Sequence, residues 1–385
     1  MRRWTRTVLV MLAAVMLIVG CSKGETESES EDIATEDMRG TPAGQYSFLQ
    51  VDMQDDRSGW ALSTSLQVLR TGDGGKSWQD VTPSAFTELT PSQIVKPVAE
   101  FRADQAWVAV NLPQEQKNII FSTNDGGQAW KESTIVVEQG QTAMINDIDF
   151  WDEKTGWLLI SHGAGAGSLP VSVYQTVDGG ANWQLVTQSD GSTGGIPSSG
   201  FKTGISFRNE SDGWVTGLDY SDALWLYGSR DSGKTWQKQE LPLPDGMKAE
   251  GGSAITYPPL FFERRGLLGG DEGLLPVESH LEGHALYFYH TSNGGDSWQA
   301  TTPVRTSQEG GKFVWSFADA DHGWVSDGTE LLRTTDQGRS WNKVQTNQDL
   351  SGLEQLEFSS SETGLAILGG KLYQTSDGGK TWKPL

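Results

Sequence analysis

The octet TGDGGKSW, Thr71 to Trp78, recurs with variation as TNDGGQAW from Thr123, TVDGGANW from Thr176, SRDSGKTW from Ser229, TSNGGDSW from Thr291, TTDQGRSW from Thr334 and TSDGGKTW from Thr375. Its pattern is Ser/Thr-x-Asp/Asn-x-Gly-x-x-Trp. The third position holds Asp73, Asp125, Asp178, Asp231, Asn293, Asp336 and Asp377, and the last holds Trp78, Trp130, Trp183, Trp236, Trp298, Trp341 and Trp382. With 16 Trp in 385 residues, seven such matches are not chance. An Asp or Asn accepts hydrogen bonds from backbone N–H groups just ahead of it, and glycine supplies the positive φ of a tight hairpin. These residues therefore read as turn formers, not as catalysts.

The flanks read as strands. Segments such as SLQVLRT, ALYFYHT and KLYQT run into the octet, and the Trp opens a further short strand. A second element precedes each octet: an apolar residue, a polar turn, then Gly-Trp. It is clear from Phe150 to Gly156-Trp157, Phe207 to Gly213-Trp214 and Phe317 to Gly323-Trp324, and the frame is kept from Phe358 to Gly364-Leu365 and from Met53 to Gly59-Trp60. Looser versions run from Phe101 to Ala106-Trp107 and from Phe262 to Gly266-Leu267. Each repeat then has four strands: A ends at the apolar residue, B starts at Gly-Trp, C enters the octet and D starts at its Trp. Seven such units over residues 41–385 predict an all-β fold, a seven-bladed β-propeller of four-stranded antiparallel blades with the octet in each C–D hairpin.

Spacing locates the working face. Successive third positions are 52, 53, 53, 62, 43 and 41 residues apart, so blades six and seven are minimal and blades two to five carry insertions. In an up-and-down blade the B–C and D–A connections share one face, and the growth is assigned there; the A–B turns and octets share the other. Loops on a rigid scaffold carry function, so the candidate ligand residues are Asp219, Asp222 and Trp225 in blade four, and Tyr257, Glu272, His280 and His284 in blade five, with Asp271 beside them. His280-x3-His284 matches two ligands on a helical face, but no further ligand stands at a compelling spacing, so no metal and no cofactor is expected.

The chain has 50 Asp+Glu against 29 Lys+Arg and a net charge of -21, which disfavours nucleic acid as a partner. Arg2, Arg3 and Arg6 precede an apolar run from Val8 to Val19 that ends before Gly20-Cys21. This reads as a secretory signal over 1–20 whose Cys21 carries a lipid. Residues 21–40 are an acidic tether too polar to bury a core. Cys21 is the only cysteine, so the body has no disulfide. The expected location is the bacterial cell envelope, outside the cytoplasm, anchored to a membrane through Cys21, with a monomeric body.

The octet resembles the Asp-box, or BNR repeat. Combined with the Phe-turn-Gly-Trp element, it resembles the photosystem II stability and assembly factor family over essentially all of 41–385. That resemblance implies a seven-bladed extracytoplasmic propeller acting as a non-catalytic assembly partner; with the insertions, the reading is a binding or assembly module that holds a protein complex or a glycan on the loop face of blades two to five. The family uses a basic patch toward its partner, whereas this body is acidic. The alternative is a carbohydrate-active hydrolase. A sialidase needs three Arg converging on a substrate carboxylate. Nine body arginines (Arg57, Arg70, Arg102, Arg208, Arg230, Arg264, Arg265, Arg333 and Arg339) map instead to A–B turns or octets, and Phe101-Arg102-Ala103-Asp104 is the nearest approach to the Phe/Tyr-Arg-Ile-Pro motif.

Overall fold

The glycine that opens each B strand is there because the residue ending strand A lies across it. In blade three Phe150 pairs with Gly156, and a Cβ on that glycine would meet the Phe150 ring at 2.5 Å. The same pairing joins Met53 to Gly59, Phe207 to Gly213, Phe317 to Gly323 and Phe358 to Gly364. In blade two Ala106 takes the glycine's place opposite Phe101.

The computed structural model describes residues 40–87, 89, 94–136, 143–165, 167–189, 194–219, 224–244, 254–262, 270–280, 283–306 and 312–385. The expected signal, Cys21 and almost all of the tether lie outside these residues, as do Asp222, Arg264 and Arg265. Seven antiparallel sheets, each in the order A-B-C-D, form the ring. The A strands are Phe48–Met53, Val95–Arg102, Ala143–Phe150, Phe201–Phe207, the pair Ala254–Thr256 and Leu260–Phe261, Val314–Phe317, and Leu353–Phe358.

The A strands are innermost and pack on one another from blade to blade. At several points their free backbone edges are met by neighbouring side chains rather than by another strand. Glu100 accepts from the Phe150 N–H at 3.0 Å, Asp147 and Asp149 accept from those of Ile205 and Phe207 at 2.9 and 2.6 Å, and Ser316 accepts from that of Phe358 at 2.9 Å. Gln355 closes the ring, accepting from the Val51 N–H at 2.9 Å and donating to the Val51 carbonyl at 2.6 Å.

Blade seven ends in the two-residue D strand Lys383–Pro384. Before the first A strand, Thr41–Pro42 adds a fifth, outermost strand to blade one opposite Ser77–Asp80, and Ala43, Phe48 and Trp78 share a core with Leu365, Ile367 and Leu372 of blade seven. In most blades the D strand starts one residue after the octet Trp, as at Lys131, Gln184 and Gln237.

Blade five departs from the sequence reading. Phe261, not Phe262, ends strand A, and it pairs with Gly273, so strand B is Gly273–Ser279 and does not begin at Gly266. A Cβ on Gly273 would meet the Phe261 ring at 2.8 Å, the same fit as in the other blades. Twelve positions separate Phe261 from Gly273, against six from Phe150 to Gly156 and from Phe207 to Gly213, so part of the extra length of blade five belongs to its A–B connection. The assignment of all growth to the opposite face is corrected for this blade.

Aromatic stacks join the blades. The B-strand Trp of one blade lies flat on the A-strand Phe of the next: Trp107 on Phe150 at 3.7 Å, Trp157 on Phe207 at 3.6 Å and Trp324 on Phe358 at 3.6 Å. The octet Trp of the second blade meets that Phe edge-on, as Trp183, Trp236 and Trp382 do. The buried B-strand indoles also donate into the next octet, Trp107 to the Gly179 carbonyl at 2.9 Å, Trp157 to that of Ser232 at 3.0 Å and Trp324 to that of Gly378 at 3.0 Å. Where Leu365 replaces this Trp, Gln374 on the paired C strand reaches the Gly74 carbonyl at 3.1 Å instead.

Candidate functional site

Each octet turn is built locally. In the third, the Thr176 hydroxyl donates to Asp178 Oδ1 at 2.8 Å and accepts from the Gly180 N–H at 3.0 Å. Asp178 Oδ1 also accepts from the Asn182 N–H at 2.9 Å. Gly179 and Gly180 take φ of 76° and 90°, and the Gly179 N–H donates to the Lys154 carbonyl, tying the octet to the A–B turn of its own blade. The pattern repeats at Asp73, Asp125, Asp231, Asp336 and Asp377, and Asn293 keeps it with its amide donating to Ser297 Oγ at 2.9 Å. For Asp73, Asp178, Asp231, Asp336 and Asp377, burial pushes the carboxyl up. The hydrogen bonds from octet hydroxyls, amides and N–H groups outweigh it, so each lies below the ordinary value of 3.8.

The octet tryptophans fall into groups. Trp78, Trp236 and Trp382 donate to the octet glycine carbonyl three residues back, whereas Trp130 and Trp183 reach Val81 O and Ser133 Oγ of the preceding blade. Trp298 and Trp341 have buried indole nitrogens with no hydrogen-bond partner among the described residues.

Arginines clamp this face. Arg70 pairs with Asp104 of the next blade, Arg208 with Asp271 at 2.7 Å, Arg230 with Asp296 at 2.9 Å and Arg333 with Glu362 at 3.7 Å. Arg70, Arg230 and Arg333 also lie over the rings of Trp60, Trp214 and Trp324 at 4.9–5.2 Å. Asp271 and Glu272 belong here. The Gly294 N–H donates to the Asp271 carbonyl as every octet does to its A–B turn, and the Glu272 carbonyl accepts from the Phe262 N–H. Their placement on the loop face is therefore corrected, a direct result of the shifted B strand.

The opposite face is irregular. Among the described residues, the exposed large apolar side chains Leu49, Val95, Val136, Phe201 and Leu243 lie at the loop-face ends of strands or in D–A connections, whereas Val177 and Leu185 lie in and just after the third octet. A groove of about 480 Å³ at the flank of blade five is lined by Pro242, Leu243, Pro244, Tyr287, Pro303 and Arg305. Trp225 does not present a platform to solvent: it is 2% exposed, packed 4.6 Å from Tyr227 at the start of strand C. Lys202, absent from the sequence reading, sits over it at 5.1 Å and donates to the Ser199 carbonyl at 2.6 Å. Burial brings the Lys202 ammonium down to about 8, and the charge of half-buried Asp219 restores only part of the loss.

In blade five the remaining candidates converge. Strands Gly273–Ser279 and His284–Thr291 form the B–C hairpin, with His280 just past the first and His284 opening the second. His280 and His284 are hairpin residues rather than helical ones, with rings stacked 4.4 Å apart. The carboxylate that sequence spacing did not bring to them is Glu278: its Oε1 lies 2.5 Å from His284 Nε2 and 3.7 Å from His280 Nε2. Tyr257, reaching over from beside strand A, donates to Glu278 Oε2 at 2.9 Å. Burial and then the Glu278 charge push the Tyr257 phenol well above 10, so it stays a donor. The one sequence signal for Glu278 was a carboxylate inside the otherwise uncharged strand LLPVES, where a buried charge needs a partner.

Comparison with known proteins agrees with this architecture. The family model described as photosynthesis system II assembly factor YCF48 matches residues 276–385. The photosystem II assembly lipoprotein Ycf48 of Synechococcus sp. (strain CC9902) is 24% identical over 308 residues, 72% of this chain and 81% of that protein. Among solved structures, YCF48 bound to D1 peptide is 16% identical with a TM-score of 0.54, covering 89% of this chain and 93% of that one. Saccharomyces cerevisiae Sqt1 is 11% identical with a TM-score of 0.51, covering 88% and 84%. The chain is thus a seven-bladed propeller similar to the photosystem II assembly factors.

Proposed function

We propose that this protein is an extracytoplasmic, lipid-anchored, non-catalytic assembly module that holds a protein partner on the loop face of blades two to five. One observation carries the reading. Five of the exposed large apolar side chains among the described residues, Val95, Val136, Phe201 and Leu243 with Leu49 of blade one, stand on that face, against Val177 and Leu185 on the octet side, where arginines and carboxylates pair across the blade seams. Exposed apolar side chains grouped on one face favour a protein contact there. The body's net charge of about -19 favours a partner segment that is apolar with basic flanks, since complementary charge steers encounter. The relative named as an assembly lipoprotein and the neighbour solved with a bound peptide support the same reading. Engagement of the described arginines on the octet face supports a non-catalytic role over a carboxylate-binding one.

Crosslinking from native membranes with the tagged full-length chain tests the proposal against the double variant Val95→Asp/Phe201→Asp. One stoichiometric protein partner captured by the parent chain and lost from the variant, at an unchanged Tm, is the expected result. Equal capture by both overturns the loop-face assignment.

A further inference from the structure

We infer that Glu278, His280 and His284 form a binding site for a divalent transition-metal ion, with zinc as the best-fitting occupant. The site lies on the same loop face as the proposed docking surface, but the inference does not depend on a partner being held there. Three ligand atoms, one carboxylate oxygen and one nitrogen from each imidazole, all lie within 4.8 Å of one another. Two imidazoles and a carboxylate are a borderline-soft donor set that suits zinc better than calcium or magnesium, which take mostly oxygen ligands.

The hydrogen bonding is asymmetric. Glu278 Oε1 faces both histidines, but only His284 is within hydrogen-bonding distance; His280 Nε2, at 3.7 Å, is beyond it. Two atoms bound to one tetrahedral zinc stand roughly 3.3 Å apart, so a cation between them engages both nitrogens with small side-chain rotations. His284 is buried against Phe313 at 4.6 Å, and its Nδ1 has no hydrogen-bond partner among the described residues, so within them the polar cluster is incompletely satisfied.

The surroundings supply what a metal site requires. Tyr257 holds the second carboxylate oxygen and so fixes the orientation of the first, the outer-shell arrangement that tunes metal ligands. Glu278 and His284 are anchored in paired strands, with Glu278 opposite Leu286 and His284 opposite Thr306. The His280 side chain is 47% exposed, so the third ligand and a fourth position open to solvent on the loop face. Backbone pairing sets the two buried ligands, and the exposed histidine completes the set as a cation enters.

Zinc titration of the tag-free full-length chain in detergent micelles, in competition with a chromophoric indicator, tests the inference, with cobalt as a spectroscopic probe of low coordination. One equivalent of zinc, tetrahedral cobalt bands and a loss of affinity of more than about tenfold in His280→Ala are expected. His280 is exposed, so that variant keeps the fold, and melting without metal verifies it. Glu278→Gln, which preserves shape, is expected to weaken zinc at least as much. No saturable zinc binding, or binding that survives His280→Ala undiminished, overturns the inference and assigns any bound zinc to the acidic surface.

Discussion

The two faces of the ring are built by different rules. On the octet face the same bonds recur in blade after blade: a hydroxyl to an Asp, the Asp to an N–H four residues on, and the following N–H to the A–B turn carbonyl. Charges there are paired across blade seams. On the loop face each blade differs, apolar side chains stand exposed, and one hairpin brings two histidines to a buried carboxylate. Repetition marks what every blade needs in order to stand against its neighbours. Departure from the repeat is where the proposed partner and cation would be met.

Substitutions sharpen that contrast. The largest loss is expected from Trp157→Ala, which removes a fully buried indole stacked at 3.6 Å on Phe207 and its hydrogen bond into the next octet. A cost of about 3–5 kcal/mol, read by denaturant unfolding, is expected; a cost near zero would show that the seams do not carry the ring.

Asp178→Ala is next, at roughly 1–2 kcal/mol at neutral pH, because several backbone and side-chain donors lose their acceptor. Asp178→Asn should retain most of this, as Asn293 does in blade five. The lowered octet carboxyls also set a direction for acid: their stabilisation is complete above the ordinary value of 3.8 and is lost as pH falls through their lower folded values. Tm should therefore drop below about pH 4, less steeply when Asp178 is Asn, and an identical profile in the variant would remove Asp178 from the acid response.

Ser232 and Gln337 occupy left-handed turns at φ 67° and 66°, where the other octets have glycine. Ser232→Gly should raise stability by about 0.5–1 kcal/mol as the αL strain is released. The smallest effect belongs to the loop face: Phe201→Asp should change stability by less than about 0.5 kcal/mol while weakening partner capture. A large drop in Tm would mean that Phe201 packs as core and the face is not a free surface.

Most of the fold was legible because its signals are local. An octet closes its own turn through bonds between residues two to four positions apart, so Asp, Gly and Trp at fixed spacing announce it. The Phe-turn-Gly-Trp element is as clear wherever the turn is short, since one ring lies across one glycine. Blade five broke the reading because its A–B turn is long: Gly266-Leu267 imitates Gly273-Leu274 in sequence, and only the pairing of Phe261 with Gly273 separates them.

Sequence alone thus determined the number of blades and the octet turns, because each follows from contacts within a few residues. Tertiary structure decided the rest. Trp225 is core because Tyr227 and Lys202 close over it, Glu272 sits with the octets because strand B starts late, and Glu278 meets His284 because a hairpin folds them together. Those outcomes depend on strand register and on neighbouring blades, and a spacing between residues in one segment does not encode them.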